Sequence, residues 1–122
     1  MRYLKRTEEI SRYLCKIIRH HWGYFCRFNK SDCSDSWYLN INLGTKENPN
    51  AIHVRIANHT ALRETAQFHY DICTSKNRNG AMNYIKFLFA FAKQQGKLLP
   101  QELKRLQPGT PCYKNYVIGL QT

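Results

Sequence analysis

The chain is short of acidic residues. Its 122 residues hold 8 Asp and Glu against 19 Lys and Arg, which gives a formal net charge of +11. A magnesium-dependent nuclease needs several clustered carboxylates, yet only Asp71 falls on a predicted strand, with Glu64 in the connection before it. The scarcity of acids disfavours such a site. The excess of cations favours a polyanionic partner: nucleic acid, an anionic membrane surface or an acidic protein.

Long hydrophobic runs are also missing. The longest apolar stretch, residues 87–92, is far shorter than the roughly 20 residues that a membrane-spanning helix needs. Residues 1–6 are charged and carry no apolar signal-peptide core. We therefore expect no membrane partner, and a cytoplasmic location in a bacterium or an infected host cell.

Metal-binding and cofactor-binding motifs are absent from the sequence. The five cysteines include no Cys-x₂-Cys pair, and an odd count without a secretion signal indicates reduced thiols. His20, His21, Cys26 and Cys33 offer four zinc ligands between positions 20 and 33, but their spacing matches no standard zinc motif. No Gly-rich phosphate-binding motif is present. We predict no metal site and no cofactor.

What the chain does have is strict alternation of apolar and polar residues in three runs, 37–43, 51–57 and 68–74. Period two is typical of half-buried strands. The predicted apolar face collects Trp37, Leu39, Ile41, Leu43, Ile52, Val54, Ile56, Phe68, Tyr70 and Ile72. The predicted polar face collects Tyr38, Asn40, Asn42, His53, Arg55, His69 and Asp71.

Helical periodicity flanks these strands. Residues 7–22 form a predicted amphipathic helix, with Thr7 as N-cap, an apolar stripe that runs from Ile10 to His21, and Gly23 as its stop. A second helix is predicted over 81–95 and a short third one over 100–105.

Two further strands are predicted, an initial one over 24–28 and an edge strand over 112–120. Residues 1–122 then make a single α+β domain: an N-terminal amphipathic helix, an antiparallel meander sheet of four or five strands, and C-terminal helices packed on one face.

Positive charge is concentrated at the two ends of the chain. Residues 1–30 carry a net charge of +6, residues 31–74 of −2 and residues 75–122 of +7. Aromatic residues are interleaved with these cations, and basic grooves with stacking rings hold single-stranded nucleic acids. The predicted nucleic-acid-binding residues are Arg12, Lys16, Arg19, Lys76, Arg78, Lys86 and Lys93. The alternative for the helical cations is an ordinary solvated face.

The predicted polar face also offers a catalytic constellation. A metal-independent nuclease can use histidine as acid and base, with arginine on the transition-state charge. The candidate residues are His53, His59, His69, Arg55 and Asp71. Alternating strands collect polar side chains by default, so a hydrogen-bonded sheet face explains the same pattern, and the balance favours binding over catalysis.

One short stretch carries a family resemblance. Residues 54–59, Val-Arg-Ile-Ala-Asn-His, resemble a strand ending in Arg-Ile-Ser-Asp-His that recurs in small proteins of phages, plasmids and other bacterial mobile elements. Ala57 and Asn58 stand where that ending has Ser and Asp. The resemblance covers six residues and implies an accessory or host-interaction protein of a mobile element, without transferring a catalytic residue. Such proteins include inhibitors of nucleic-acid-directed defence systems, for example anti-CRISPR proteins.

Three functional hypotheses follow from the sequence. The first is a binding protein for RNA, DNA or a nucleoprotein complex. The second is a protein-directed inhibitor of a nucleic-acid-binding defence effector, which predicts an exposed apolar or aromatic patch beside the cations. The third is the metal-independent nuclease. The oligomeric state stays open.

Overall fold

The computed structural model describes residues 4, 6–32, 34–58, 69–73 and 84–104. The class is α+β, as predicted. The helical elements are α1 (Thr7–Lys16), which continues into a π-helical turn (Ile17–His21), α2 (Tyr84–Gln95) and α3 (Gln101–Lys104). The strands are β1 (Phe25–Lys30), β2 (Trp37–Asn42), β3 (Ala51–Ala57) and β4 (Tyr70–Cys73). The edge strand predicted over 112–120 lies outside the described residues.

The sheet is mixed rather than wholly antiparallel. Its strand order is β1-β2-β3-β4; β1–β2 and β2–β3 are antiparallel, and β3–β4 is parallel. The predicted meander is therefore confirmed for three strands and wrong for the fourth. The connection over residues 58–69 is as long as the crossover of about a dozen residues that a parallel neighbour requires.

Alternation places the side chains on the faces that the sequence predicts. Leu39, Ile41, Val54, Ile56 and Ile72 are buried in the core, while Trp37, Ile52 and Tyr70 are partly buried against it. From β1, the register adds Cys26 and Phe28 to this face, opposite Ile41 and Leu39.

Helices α1 and α2 pack into the same core through large side chains. Ile10, Leu14 and Ile18 are buried from the first helical stretch, and Tyr84, Leu88 and Phe91 from α2. The Trp22 ring stacks on Phe91, with 5.3 Å between ring centroids. The Tyr70 ring lies 5.0 Å from that of Phe87, which brings α2 to β4. No helix in the described ranges is both long and apolar enough to cross a bilayer.

The first helix differs from its prediction at both ends. Thr7 is not the N-cap: it is the first helical residue, and its hydroxyl donates to the carbonyl of Asp35 at 2.9 Å. The last turn is π-helical, with the backbone N–H of Trp22 donating to the Ile17 carbonyl at 3.0 Å. His21, predicted in the apolar stripe, is therefore exposed and Trp22 is buried in its place, because the extra residue rotates the end of the helix.

Gly23 ends this helix as predicted. Its φ of 80° lies in the left-handed region that glycine adopts at little cost. The Tyr24 N–H then donates to the Ile18 carbonyl at 2.9 Å, which closes the helix end and starts the chain into β1.

Candidate nucleic-acid interface

The face of the sheet away from the helices carries polar side chains in three rows, and we call it the polar face. The register sets one row as Asn29, Tyr38, Arg55 and Asp71, a second as Arg27, Asn40 and His53, and a third as Phe25, Asn42 and Ala51. Period two therefore predicted the membership of this face correctly for β2, β3 and β4.

The polar face is buried at the C-terminal end of β3. The Arg55 side chain is only 7% exposed, and its Nη1 donates to Asp71 Oδ1 at 3.0 Å. Ala57, two residues further along β3, is buried as well. A guanidinium this deeply buried needs its carboxylate partner. Arg55 and Asp71, two of the predicted catalytic residues, thus form a structural ion pair.

The two histidines predicted on this face lie together. Their ring centroids are 6.1 Å apart. The backbone N–H of His53 donates to His69 Nδ1 at 3.1 Å. The ring Nδ1 of His53 lies 2.5 Å from Asn40 Oδ1. An amide oxygen only accepts, so in this arrangement His53 Nδ1 is the donor, whereas His69 Nδ1 is an acceptor.

Two neighbouring imidazoles are compatible with acid–base chemistry, and the nuclease hypothesis stays a prediction. Its fifth residue, His59, lies outside the described residues.

The β1–β2 side of the polar face is open to solvent, and we call it the open half: Phe25, Arg27, Asn29, Asn40 and Asn42. Phe25 is 60% exposed, one of two exposed large hydrophobic residues in the described part of the chain, the other being Leu98. The open half lines a depression of about 580 Å³ together with Pro49 and Ala51. The Asn42 Oδ1 accepts from the N–H groups of Gly44 and Asn50, which fixes the β2–β3 turn beside the depression.

Cations from α1 reach β1, which is an outer strand of the described sheet. The Arg12 guanidinium lies 5.4 Å from the centre of the Phe28 ring and pairs with Glu8 at 3.0 Å. The Arg19 guanidinium donates from Nε and Nη2 to the Cys26 carbonyl, at 3.2 and 2.5 Å.

Lys16 is exposed between these two arginines along the helix, and Arg27 and Lys30 are exposed on β1 itself. We call Arg12, Lys16, Arg19, Arg27 and Lys30 the basic edge.

Two of the remaining predicted binding residues lie on α2. Lys93 is exposed and Lys86 half-buried on the side of α2 that lies opposite buried Leu88. Lys76 and Arg78 lie outside the described residues. The structure therefore unites three of the seven predicted cations and leaves two on another helix.

Sequence reasoning missed Phe25, Arg27 and Asn29 as site residues. Their alternation with Cys26 and Phe28 is a period-two signal. In the sequence it is obscured because Tyr24, Phe25, Cys26 and Phe28 are all apolar or aromatic. Only pairing with β2 assigns the odd-numbered residues of β1 to the polar face.

The cysteine and histidine cluster considered for zinc is split by the fold. Cys26 is buried in the core, whereas His20 and His21 are exposed, and Cys33 lies outside the described residues. Burial is the main cause that raises the pKa of the Cys26 thiol, and the neighbouring Cys15 raises it further, so the thiol stays neutral. Within the described ranges, no group of three or more His, Cys, Asp or Glu side chains is placed to hold a metal ion.

Comparison with known proteins finds no matching family model, no matching curated protein and no matching solved structure. Function is therefore inferred from the geometry and charge of this chain alone.

Proposed function

We propose that this protein binds nucleic acid, free or within a nucleoprotein complex, through the basic edge. The observation that supports the proposal is how few of these cations form ion pairs. Of the five, only Arg12 has an acidic partner among the described residues. Cations without carboxylate partners are free to bind phosphates, and a polyanion gains affinity by releasing its own counterions to them.

The two arginines of α1 are also held in place. Arg19 is oriented by the Cys26 carbonyl and Arg12 by the Phe28 ring. A guanidinium has five N–H donors in a fixed geometry. When two of these N–H groups donate to a carbonyl, the remaining N–H groups can still bind a phosphate. Such preorganisation lowers the entropy lost on binding.

A salt series tests the proposal. Binding of labelled single- and double-stranded RNA and DNA is measured by fluorescence anisotropy between about 50 and about 200 mM salt. We expect the logarithm of the affinity to fall linearly with the logarithm of salt concentration. Lys16→Gln and Lys30→Gln should each reduce that slope by about 1.

Lys104→Gln is the matched control, because it removes one positive charge from an exposed side chain on α3, whose Glu102 contacts Tyr13 on another side of α1. It should leave the slope unchanged. Absence of binding at the lowest salt concentration, or an equal effect of all three substitutions, would overturn the assignment to the basic edge.

We also propose that the protein acts in the cytoplasm, as an accessory protein of a mobile element. Cys15 and Cys26 are free, buried thiols, as cytosolic proteins commonly have. The mobile-element origin rests on the resemblance of residues 54–59. Mass analysis of the alkylated protein, purified without reductant, checks the redox state.

The exposed apolar side chains favour a second candidate, a protein-directed inhibitor of a nucleic-acid-binding effector. Phe25 is 60% and Leu98 76% exposed, and exposed apolar side chains beside cations are what this hypothesis predicts. Capture of a host effector with little salt dependence, weakened by Leu98→Ala, would support it. A steep salt dependence of the captured complex would count against it.

A further inference from the structure

Phe25 is a large aromatic side chain that is 60% exposed. It sits on the polar face opposite Asn42, whose own partner on β3 is Ala51, so no large side chain covers the ring from the neighbouring strands. Most of the ring is exposed to solvent, and it lines the depression.

The side chains around Phe25 have the chemistry that recognises an unpaired base. Arg27 is two residues along the same strand, and Asn40 lies directly opposite Arg27. An aromatic ring offers a stacking surface to any base, amide groups match the hydrogen-bonding edges of bases, and arginine binds phosphate. The volume of about 580 Å³ falls within the range of about 300–1,000 Å³ that is typical of ligand sites.

Charge favours an anionic partner in this depression, and the exposed Phe25 ring favours one that carries bases. The described residues that line the depression include one arginine and no carboxylate, and the remaining polar groups are neutral amides. The basic edge follows the same strand, so a polyanionic backbone can run along β1 while a base enters the open half.

We propose that the open half binds an unpaired base of a single-stranded nucleic acid, stacked on Phe25, while the adjoining phosphates contact Arg27 and the rest of the basic edge. The inference rests on the proposed function and narrows it to single strands. Bases inside a duplex are already stacked on one another and cannot reach a ring on a sheet face.

Substitution of Phe25 tests this directly. Phe25→Ala should weaken binding to a single-stranded oligonucleotide by about 5- to 150-fold, which corresponds to about 1–3 kcal/mol for one stacked base. The salt slope should stay unchanged because phenylalanine carries no charge. Phe25→Trp should retain the affinity, because it keeps the stacking surface.

Leu98→Ala is the matched control for oligonucleotide binding, since it removes the other exposed large hydrophobic side chain, which lies neither in the open half nor in the basic edge. It should change the affinity by less than about twofold. A second control is an oligonucleotide with abasic positions: the wild-type protein should lose affinity for it, whereas Phe25→Ala should bind both oligonucleotides alike. Circular dichroism and the melting temperature confirm that each variant is folded.

The outcomes separate the two proposals. If wild-type protein binds with a steep salt dependence but Phe25→Ala binds equally well, the stacking site is refuted and the basic edge stands. If Phe25→Ala weakens duplex and single-strand binding alike, base stacking is again refuted. If wild-type protein binds no nucleic acid at low salt, both proposals fall.

Discussion

The burial of Arg55 restricts catalysis at the β3–β4 side of the polar face. A guanidinium with 7% of its side chain exposed is expensive to desolvate, and Asp71, whose side chain is 31% exposed, provides the compensating charge. Neither side chain is available to a transition state without breaking this pair. The ion pair therefore contributes to the stability of the β3–β4 junction, and the open half lies on β1 and β2.

Removing the carboxylate should destabilise the protein. Asp71→Asn removes the carboxylate that compensates the buried Arg55 charge, and we expect a loss of about 1–3 kcal/mol in the free energy of unfolding, moderated by the partial exposure of Asp71. Urea denaturation measures it. Glu8→Gln breaks the exposed Glu8–Arg12 pair and should cost less than about 0.5 kcal/mol. Equal losses in the two variants would contradict a structural role for Arg55–Asp71.

Tyr13 should make stability depend on alkaline pH. Burial first, and then the charge of Glu102, raise the pKa of the Tyr13 phenol above its ordinary value of 10.0. The unfolded chain therefore loses this proton at a lower pH than the folded protein does. The stabilisation is complete below about pH 10 and is lost as the pH rises further.

The comparison of wild type with Tyr13→Phe isolates this group. Unfolding by urea is followed at several pH values between about 8 and about 11, a range that brackets the tyrosine titration. The wild-type free energy of unfolding should fall more steeply above pH 10 than that of Tyr13→Phe, because phenylalanine has no proton to lose. Parallel curves would show that Tyr13 has the same pKa in the folded and unfolded states.

At the scale of elements, the β2–β3 turn sets the shape of the open half. A Cβ at Gly44 would lie 2.1 Å from the Asn48 carbonyl oxygen and 3.0 Å from the Asn50 nitrogen. The same turn is closed by hydrogen bonds from Leu43 N–H to the Asn50 carbonyl and from Thr45 N–H to the Asn48 carbonyl. Only glycine allows this close approach of the backbone.

Gly44→Ala should therefore displace the turn. We expect a loss of about 1–3 kcal/mol in stability, the usual cost of forcing an extra methyl group into a packed site. Nucleic-acid affinity should fall as well, because Asn42 and Pro49 line the depression. Glu47→Ala in the same exposed turn should change stability by less than about 0.5 kcal/mol. Wild-type stability in Gly44→Ala would mean that the turn tolerates a different backbone path.

Elements with strong local patterns could be predicted from the sequence, and their long-range arrangement could not. β3 begins and ends at the predicted residues, because alternation over 51–57 is bounded by the Pro49-containing turn on one side and Asn58 on the other. The direction of β4 depends on the path of residues 58–69, which no local periodicity encodes.

The π-helical turn escaped prediction for a related reason. The spacing of apolar residues in the first helix fits a regular last turn as well as one with an extra residue. Only the packing of Trp22 against Phe91 distinguishes the two. The candidate site shows the same division: Arg12, Lys16 and Arg19 follow from helical spacing, whereas Phe25 and Arg27 emerge only when β1 pairs with β2.

At the scale of the whole molecule, the net charge of +11 opposes compact folding through self-repulsion. Salt screens such repulsion over a Debye length of about 10 Å at 0.1 M. We expect the melting temperature to rise as sodium chloride increases from about 0.01 to about 0.1 M. An unchanged or falling melting temperature would show that repulsion among the charges does not limit the stability of the protein.

The parallel pairing of β3 with β4 also implies an order of assembly. β1, β2 and β3 are neighbours along the chain, and each pairing closes a short loop, whereas β4 closes a longer one at greater entropic cost. We expect the three-stranded unit with α1 to form the folding nucleus and β4 to dock afterwards. Arg55 then takes its place on β3 before Asp71 arrives. The guanidinium stays hydrated during that interval, and its dehydration belongs to the final docking step.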